Sequence, residues 1–410
     1  MKNRTLIRAA IVGGLLASGA ATLPAQDWPQ WRGANRDAKV DSFKAPAAWP
    51  AQLTPKWKQT VGLGDTTPAL VGDRLFVLSR VDAEENVICL NAADGKEIWR
   101  QKYEAPAVSG PSSRAHGGPR SSPAVADGKV VTFGVTGILT CWNAADGKQL
   151  WQKPATGWPQ YYTGSSPLLV DGMCVAQVGG ASGGGVAAYD LQSGAEKWRW
   201  NGAGPGYASP VVMTVEGTKM VVALTDRSVV GIGLADGKVV WQTAFAAMGM
   251  AYNAATPIVD GDTLIYAGQG RGTHAMKVAK QGDTFSTTEV WSAPDTSPQF
   301  NTAVLKDGFL YGLTQQNAFY CINAKTGAVA WSNMANRGTP SGYGSVVDAG
   351  SVLLALTPGS QLYVVQPTDK AYTQVASIKV ADTPTYAYPV ISGNRVFIRD
   401  QNSLALLTLE

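Results

Sequence analysis

Short apolar runs separated by turn residues fill the chain from about residue 55 onward. Typical runs are RLFVLS at 74–79, VVTFGV at 130–135 and TLIYAG at 263–268. Runs of this length, rich in β-branched and aromatic residues and bounded by Gly or Asp, are typical of strands. Apolar residues nowhere hold the 3.6-residue spacing of an amphipathic helix over a convincing length. The pattern therefore predicts an all-β chain.

The predicted strands recur in a fixed order. Each unit opens with a small polar residue and Pro before an apolar run, and continues through a second strand, a third strand, a D-G or T-G turn and a short fourth strand beginning at Trp. Asp-Gly between apolar runs favours a hairpin, because Gly accepts the positive φ of a two-residue turn. A unit of about 40 to 50 residues with four strands has the size of a propeller blade. Eight starts occur, the last three degenerate: TTPALV at 66, SSPAVA at 121, SSPLLV at 165, ASPVVM at 208, ATPIVD at 255, NTAVLKDG at 301, GSVVDAG at 344 and YPVISG at 388.

One tryptophan stands at the start of each predicted fourth strand, where its ring can dock between neighbouring blades. A buried Trp hides on the order of 200 Å². At about 25 cal/mol per Å², each ring contributes at most several kcal/mol to folding. The predicted docking residues are Trp57, Trp99, Trp151, Trp198, Trp241, Trp291 and Trp331.

Ring closure follows from the two ends of the repeat. Trp57 lies in PKWKQTVG, a fourth strand with no first three strands before it, while residues 386–409 supply three strands without a fourth. Pairing the two ends completes one blade. The sequence predicts an eight-bladed β-propeller of four-stranded antiparallel blades over residues 55–410, preceded by an extension over 26–54 that lies across one face.

The first 25 residues match a secretory signal peptide. Lys2, Arg4 and Arg8 precede an apolar run at 9–21 that ends in small residues, and that run is shorter than the about 20 residues of a membrane span. No Cys occurs near the expected cleavage site, so we expect no lipid anchor, and no second apolar run suggests a transmembrane segment. Export would place the protein in the periplasm or outside a bacterial cell.

Charge gives no indication of nucleic-acid binding. The chain has 34 basic and 30 acidic residues, and removal of residues 1–25 would leave 31 against 30. Lys and Arg are scattered, without the basic patch expected of a nucleic-acid interface.

The phrases NAADGKEIW at 91 and NAADGKQLW at 143, the N-terminal DWPQWRGANRD at 27 and GGPRSSPAVADGKV at 117 resemble the pyrroloquinoline-quinone-like (PQQ-like) repeat propellers. The resemblance covers nearly the whole predicted mature chain. Members include quinoprotein alcohol and sugar dehydrogenases and the BamB-type propellers, which bind protein and carry no quinone. It implies the propeller fold and leaves both activities open.

The residues favour the non-catalytic branch of that family. Quinoprotein dehydrogenases of the family hold the quinone beneath adjacent cysteines and bind Ca²⁺, whereas the cysteines here are far apart and offer no metal-ligand spacing: Cys89, Cys141, Cys174 and Cys321. Three of these share one repeat position and are expected to be small buried residues. The acidic stretch DAEE at 82–85 is expected to be a solvated loop. We therefore predict no catalytic residues, no metal and no cofactor; PQQ with Ca²⁺ is the alternative.

A binding site is predicted from topology. The first strand of each blade lines the central channel, so residues just before the eight starts converge on one mouth. Aromatic rings with polar tips and one arginine make a credible ligand surface, although Tyr and Asn could equally satisfy strand ends at a wet funnel. The predicted mouth residues are His116, Arg120, Tyr162, Tyr207, Asn253, Asn301, Tyr343 and Tyr386.

Two functions stay open at the level of the sequence. The first is a non-enzymatic binding or scaffold module that acts as a monomer and holds a protein or small ligand at a propeller face or the channel mouth. The alternative is a PQQ- and Ca²⁺-dependent dehydrogenase with a divergent site. The sequence favours the first because the adjacent cysteines and a recognisable calcium set are both missing.

Overall fold

A computed structural model describes residues 26–110, 113–114, 116–247, 249, 252–333 and 342–409. The predicted signal peptide, residues 1–25, lies outside this part of the chain. The described residues form eight four-stranded antiparallel sheets, which confirms the eight-bladed propeller. Over the same ranges, no helix has the length and apolar character needed to cross a bilayer.

Each blade runs from its inner strand at the channel to its outer strand at the rim. Blades 1 to 4 comprise β2 (Ala69–Val71), β3 (Arg74–Val81), β4 (Glu84–Asn91) and β5 (Glu97–Glu104); β6 (Ala124–Ala126), β7 (Lys129–Phe133), β8 (Leu139–Asn143) and β9 (Gln149–Lys153); β10 (Leu168–Val170), β11 (Met173–Val178), β12 (Gly185–Asp190) and β13 (Glu196–Trp200); and β14 (Val211–Val215), β15 (Thr218–Leu224), β16 (Ser228–Gly233) and β17 (Val239–Ala244).

Blades 5 to 7 follow the same order, and blade 8 takes its outer strand from the N-terminal side. These blades comprise β18 (Ile258–Asp260), β19 (Thr263–Gly268), β20 (Gly272–Gln281) and β21 (Thr284–Ala293); β22 (Val304–Lys306), β23 (Phe309–Leu313), β24 (Phe319–Asn323) and β25 (Val329–Asn333); β26 (Ser345–Asp348), β27 (Leu353–Leu356), β28 (Gln361–Val365) and β29 (Gln374–Lys379); and β30 (Val390–Ser392), β31 (Arg395–Arg399) and β32 (Ser403–Thr408) with β1 (Thr54–Thr60).

Blade 8 closes the ring as the sequence predicts. Strand β1 pairs antiparallel with β32, with Trp57 opposite Leu406 and Thr60 opposite Ser403. The first and last strands of the propeller thus share one sheet, in which β1 is the outer strand and β32 pairs with a neighbour on both sides.

The repeated Trp phrase is an inter-blade contact. The indole N–H of Trp99 donates to the carbonyl oxygen of Ala144 in the next blade at 3.1 Å, and Trp151 donates likewise to Leu191 at 3.0 Å. The ring also covers the glycine of the next D-G turn: a Cβ on Gly147 would lie 2.7 Å from the Trp99 ring, and φ at Gly147 is +75°. Each phrase therefore places its Trp ring against the next blade and its glycine beneath the Trp ring of the preceding blade.

Trp241 departs from this rule. Its indole N–H lies 3.0 Å from Sδ of Met220 in its own blade. The next blade has no N-A-x-x-G turn to receive the ring, because β20 and β21 extend to ten residues each and a Cβ on Gly282 would meet nothing within 4 Å.

A belt of hydroxyl groups explains the Ser or Thr at the second position of the first six starts. The hydroxyl oxygen of that residue accepts a hydrogen bond from the backbone N–H of the equivalent residue in the preceding blade. Six such bonds of 2.8–3.2 Å run around the channel, from the N–H of Tyr388 to Thr67, Thr67 to Ser122, Ser122 to Ser166, Ser166 to Ser209, Ser209 to Thr256 and Thr256 to Thr302. The belt joins the inner strands where strand pairing between blades is absent.

Residues 27–41, here called the plug, cross one end of the channel and contact every blade. Fully buried Trp28 exchanges two backbone hydrogen bonds with Leu70 of blade 1, at 2.8 and 2.9 Å. Backbone bonds also join the plug to blades 2 and 7, through Pro29 with Val125 and Val40 with Asp348.

Side chains of the plug reach the other five blades. Arg32 donates to the carbonyl oxygens of Thr302 at 3.0 Å and Ala303 at 2.8 Å, and to the Tyr388 hydroxyl at 2.7 Å. Arg36 donates to the carbonyl oxygens of Pro167 and Pro210. The indole of Trp31 donates to Thr256 at 3.0 Å. Burial lowers the pKa of Arg36 to about 9, so the side chain stays charged at neutral pH.

Two local predictions meet different outcomes. The four cysteines are free and buried, in keeping with small core residues. The prediction of a solvated DAEE loop is wrong for its last residue: Glu85 is fully buried, accepting from the Tyr103 hydroxyl at 2.6 Å and the Val135 N–H at 2.8 Å. Burial raises the pKa of this carboxyl group. The reason is that Glu85 lies at the start of β4 and points between blades 1 and 2.

Candidate functional site

A cavity of about 510 Å³ opens at the end of the channel opposite the plug. We call it the cup. The connections between blades supply its walls, because they return the chain from each outer strand to the next inner strand on this face. Trp31 of the plug also lines it. The plug thus closes the far end of the cup.

Aromatic rings form a continuous wall around the cup. Successive ring centroids lie 4.2–5.3 Å apart, in the order Tyr161, Tyr252, Phe300, Tyr343, Tyr386 and His116, and Tyr207 packs against Tyr161 and Tyr252. Burial raises the pKa of Tyr207 to about 12 and also raises those of Tyr252, Tyr343 and Tyr386. These phenols stay neutral near neutral pH and can donate or accept hydrogen bonds.

Arg120 closes the wall between its two ends. The guanidinium donates to the carbonyl oxygen of Tyr161 and, at 3.2 Å, to that of His116. It also lies over the ring of Tyr162, 6.0 Å from the centroid. Within the described ranges, Arg120 forms no ion pair, and its buried Nε has no hydrogen-bond partner. The wall therefore carries one positive charge with no carboxylate assigned to it.

An Asp–His pair provides the other polar feature of the wall. Nδ1 of His116 lies 2.6 Å from Oδ2 of Asp65, and both side chains are mostly buried, 11% and 13% exposed. In the neutral ring, Nδ1 carries the proton and donates to Asp65, which leaves the Nε2 lone pair as an acceptor. Gln269 adds a second acceptor, since its Oε1 is buried without a partner among the described residues.

The structure brings together five of the eight predicted mouth residues. Those that line the cup are His116, Arg120, Tyr207, Tyr343 and Tyr386. In three other connections the residue one position earlier lines the cup instead: Tyr161, Tyr252 and Phe300. Successive side chains of an extended segment point to opposite sides, so a one-residue error in position exchanges the wall residue for its buried neighbour.

The three predicted residues outside the wall have structural contacts. Tyr162 is buried at φ +66° and packs beneath Arg120. Asn253 donates from its amide to the carbonyl oxygens of Thr225 at 2.7 Å and Phe245 at 2.9 Å. Asn301 is buried as well. Three wall residues were missed: Asp65 directly precedes the first start and was passed over, whereas Gln269 lies in the β19–β20 turn and Trp31 in the plug, both away from the starts.

The residues of the cup do not fit a calcium-held quinone. Ca²⁺ takes six to eight oxygen ligands, whereas the only carboxylate of the described wall is Asp65, which already pairs with His116. Across the described residues, no group of three or more His, Cys, Asp and Glu side chains is placed to hold a metal. The described wall instead presents apolar rings, phenol hydroxyls, the Arg120 guanidinium, the Asp65–His116 pair and the Gln269 amide.

Comparison with known proteins identifies the family. A family model described as "Outer membrane protein assembly factor BamB" matches residues 47–114 and 112–333. The BamB of Shewanella oneidensis is 24% identical over 382 residues, covering 86% of this chain and 88% of the relative. The solved BamB of Moraxella catarrhalis superposes with a TM-score of 0.65 at 16% identity, covering 87% of this chain and 99% of its own. A europium-containing methanol dehydrogenase gives 0.69 at 14% identity, covering 93% and 89%, so fold likeness alone does not separate the binding proteins from the enzymes.

The family match spans the repeats that carry the Trp-docking phrases, and it confirms the resemblance deduced from them. The chain belongs to the PQQ-like repeat β-propellers, in the family described as outer membrane protein assembly factor BamB.

Proposed function

We propose that this protein is a periplasmic, non-catalytic binding module that holds a partner protein at the face bearing the cup. One observation carries the proposal: the channel is sealed by the plug at one end and open at the other, where an aromatic wall retains an unpaired cation and two acceptors. Aromatic residues and arginine are the side chains that most often dominate binding energy at protein interfaces.

Three further points support this assignment. The relatives that match along most of the chain are named as outer membrane assembly factors, a name that denotes work on other proteins. The expected signal peptide would deliver the chain to the periplasm. The rim of the cup also presents exposed apolar side chains, Leu63 at 42% and Trp158 at 39% exposure, which a partner could cover. We propose that the module acts as a monomer without a nucleic-acid partner.

The test is site-specific photo-crosslinking in the native host. A photo-reactive amino acid replaces Trp158 at the rim of the cup or Glu216, which is exposed in the β14–β15 turn on the plug face. We expect a discrete crosslinked partner from position 158, absent from position 216, in the periplasmic fraction. Equal crosslinking from both positions, or none from either in correctly folded and exported protein, would refute binding at this face.

The quinoprotein alternative has its own test. Purified protein is mixed with PQQ and Ca²⁺, and dye reduction is followed with alcohol and sugar substrates. We expect neither a bound chromophore nor turnover, because the described wall offers no calcium ligand set. Stoichiometric quinone binding with turnover would replace the proposal by the enzyme function.

A further inference from the structure

The cup is blind, which restricts what can occupy it. Trp31 lies at its closed end and is fixed by its hydrogen bond to Thr256 and by an edge-on contact with Tyr388, at a centroid distance of 4.9 Å. The plug behind Trp31 is bonded to every blade. A polypeptide cannot pass through, so an occupant from a partner protein must enter and stop. A chain end does this without the tight reversal that an internal segment would need.

The charge of the wall selects between the two kinds of chain end. Arg120 is the cation of the described wall, and it has no ion pair there. Asp65, the carboxylate of that wall, is already hydrogen-bonded to His116. A carboxylate entering the cup therefore meets an available guanidinium, which still has N–H groups beyond the two bonds to backbone carbonyls. An α-ammonium group would meet the same cation with repulsion.

The acceptors of the wall match the next group along a polypeptide. Oε1 of Gln269 is buried without a partner among the described residues and needs a donor, and Nε2 of His116 accepts in the tautomer whose Nδ1–H donates to Asp65. The backbone N–H groups of a peptide end are such donors, whereas a simple aromatic acid has none. The surrounding rings of Tyr252, Phe300 and Tyr343 offer an apolar wall for one large side chain.

We propose that the cup captures the carboxyl terminus of a partner polypeptide whose last side chain is large and apolar. The terminal carboxylate pairs with Arg120, the last peptide N–H groups donate to His116 and Gln269, and the side chain packs among the rings above Trp31. A cavity of about 510 Å³ is in the range of small-ligand sites, which suits one or two residues of a chain end. The inference rests on the proposed protein-binding function and specifies the partner's chemistry.

The experiment measures binding of short peptides to the full chain by isothermal titration calorimetry. N-acetyl-Ala-Phe carries all three features; its C-terminal amide lacks the charge, N-acetyl-Ala-Ala lacks the ring, Phe-Ala-amide presents an ammonium, and 3-phenylpropanoate lacks the peptide. We expect N-acetyl-Ala-Phe to bind at least tenfold more tightly than each of the others. Equal binding of the amide overturns the role of the carboxylate, equal binding of 3-phenylpropanoate shows a free aromatic acid site instead, and no binding of N-acetyl-Ala-Phe overturns the inference.

Variants connect this preference to the wall. Arg120→Met is expected to remove the difference between the free acid and the amide, while Arg114→Met, an exposed arginine of the same connection, leaves it intact. If Arg120→Met lacks a cooperative unfolding transition, Tyr343→Leu serves as the second variant and should weaken N-acetyl-Ala-Phe at least tenfold without changing the preference for acid over amide. Retention of the full preference in folded Arg120→Met, or of full affinity in Tyr343→Leu, would contradict the proposed pose.

The two proposals fail in distinguishable ways. One outcome is that position 158 crosslinks to a partner while the protein binds the peptide acid and its amide equally. This result would refute the chain-end inference and leave protein binding at this face supported. If no crosslink forms but the peptide selectivity is intact, the cup binds peptides without a stable partner protein in the cell. That result would count against the proposed function.

Discussion

The two ends of the central channel use the same residue types with different results. At the plug end, Arg32 and Arg36 are buried, 1% and 5% exposed. Their guanidinium groups donate hydrogen bonds to oxygens of four blades. At the cup end, Arg120 also donates to two backbone carbonyls, yet it borders a cavity of about 510 Å³ and keeps an unpartnered Nε. An arginine in a channel is therefore not by itself a sign of ligand binding. The remaining space and the remaining hydrogen-bonding capacity separate the two roles.

We expect the largest loss of folding stability from replacing a plug tryptophan, compared with a tryptophan on the opposite face. Trp28 in the plug is fully buried, while Trp158 at the rim of the cup is 39% exposed. Trp28→Ala should lower the free energy of unfolding by about 3–5 kcal/mol, the usual cost of emptying a buried aromatic site. Trp158→Ala should cost about 1 kcal/mol or less. Urea unfolding followed by circular dichroism measures both, and equal losses would remove the proposed difference between the faces.

A second test uses adjacent serines at the boundary between belt and mouth. The hydroxyl of Ser166 accepts from the backbone N–H of Ser122 at 2.9 Å, whereas the buried hydroxyl of Ser165 has no partner among the described residues. Ser166→Ala leaves a buried N–H unsatisfied and should cost about 1–3 kcal/mol. Ser165→Ala should be nearly neutral in the same urea titration. A larger loss for Ser165→Ala would show that the belt is misassigned.

The smallest effect concerns the pH dependence of stability near the mouth. Burial raises the pKa of Glu85, so ionising it costs more in the folded state than in the unfolded state. Its stabilising contribution is complete below the ordinary pKa of about 4.5 and is lost as pH rises through the raised folded value. Glu85→Gln keeps an acceptor for Val135 and should abolish this decrease above pH 4.5, measured by urea unfolding at a series of pH values. The partly exposed neighbour Glu84, paired with Lys102, is the control: Glu84→Gln should preserve the slope.

The ring could be predicted from the sequence because its signals are local and repeated. Each D-G turn and each Trp is recognisable alone, and the unmatched strand around Trp57 and the three C-terminal strands indicate closure without any contact information. The Ser or Thr before proline was visible as a marker of each start. Its partner was not, because the hydroxyl bonds to a residue one blade away.

The cup could be predicted only in part because its residues lie in irregular connections. Topology places the connections at one mouth, and it correctly led to Arg120, Tyr343 and Tyr386 as wall residues. Topology cannot tell which of two adjacent residues faces the cavity. At 161–162, the left-handed backbone of Tyr162 determines that Tyr161 lines the cup. Trp31 comes from more than 200 residues away from its partner Thr256, a contact that no local pattern contains.

We infer that Arg36 of the plug stabilises the fold, whereas Arg120 of the cup binds a ligand. Unfolding free energies of Arg36→Ala and Arg120→Ala, measured in urea beside the native chain, test it most directly. We expect Arg36→Ala to lose about 3 kcal/mol or more, since it leaves buried carbonyl oxygens of two blades without donors, and Arg120→Ala to lose about 1 kcal/mol or less. Equal losses for the two variants would instead make Arg120 a structural tie between the connections that carry Tyr161 and His116, and the claim would fail.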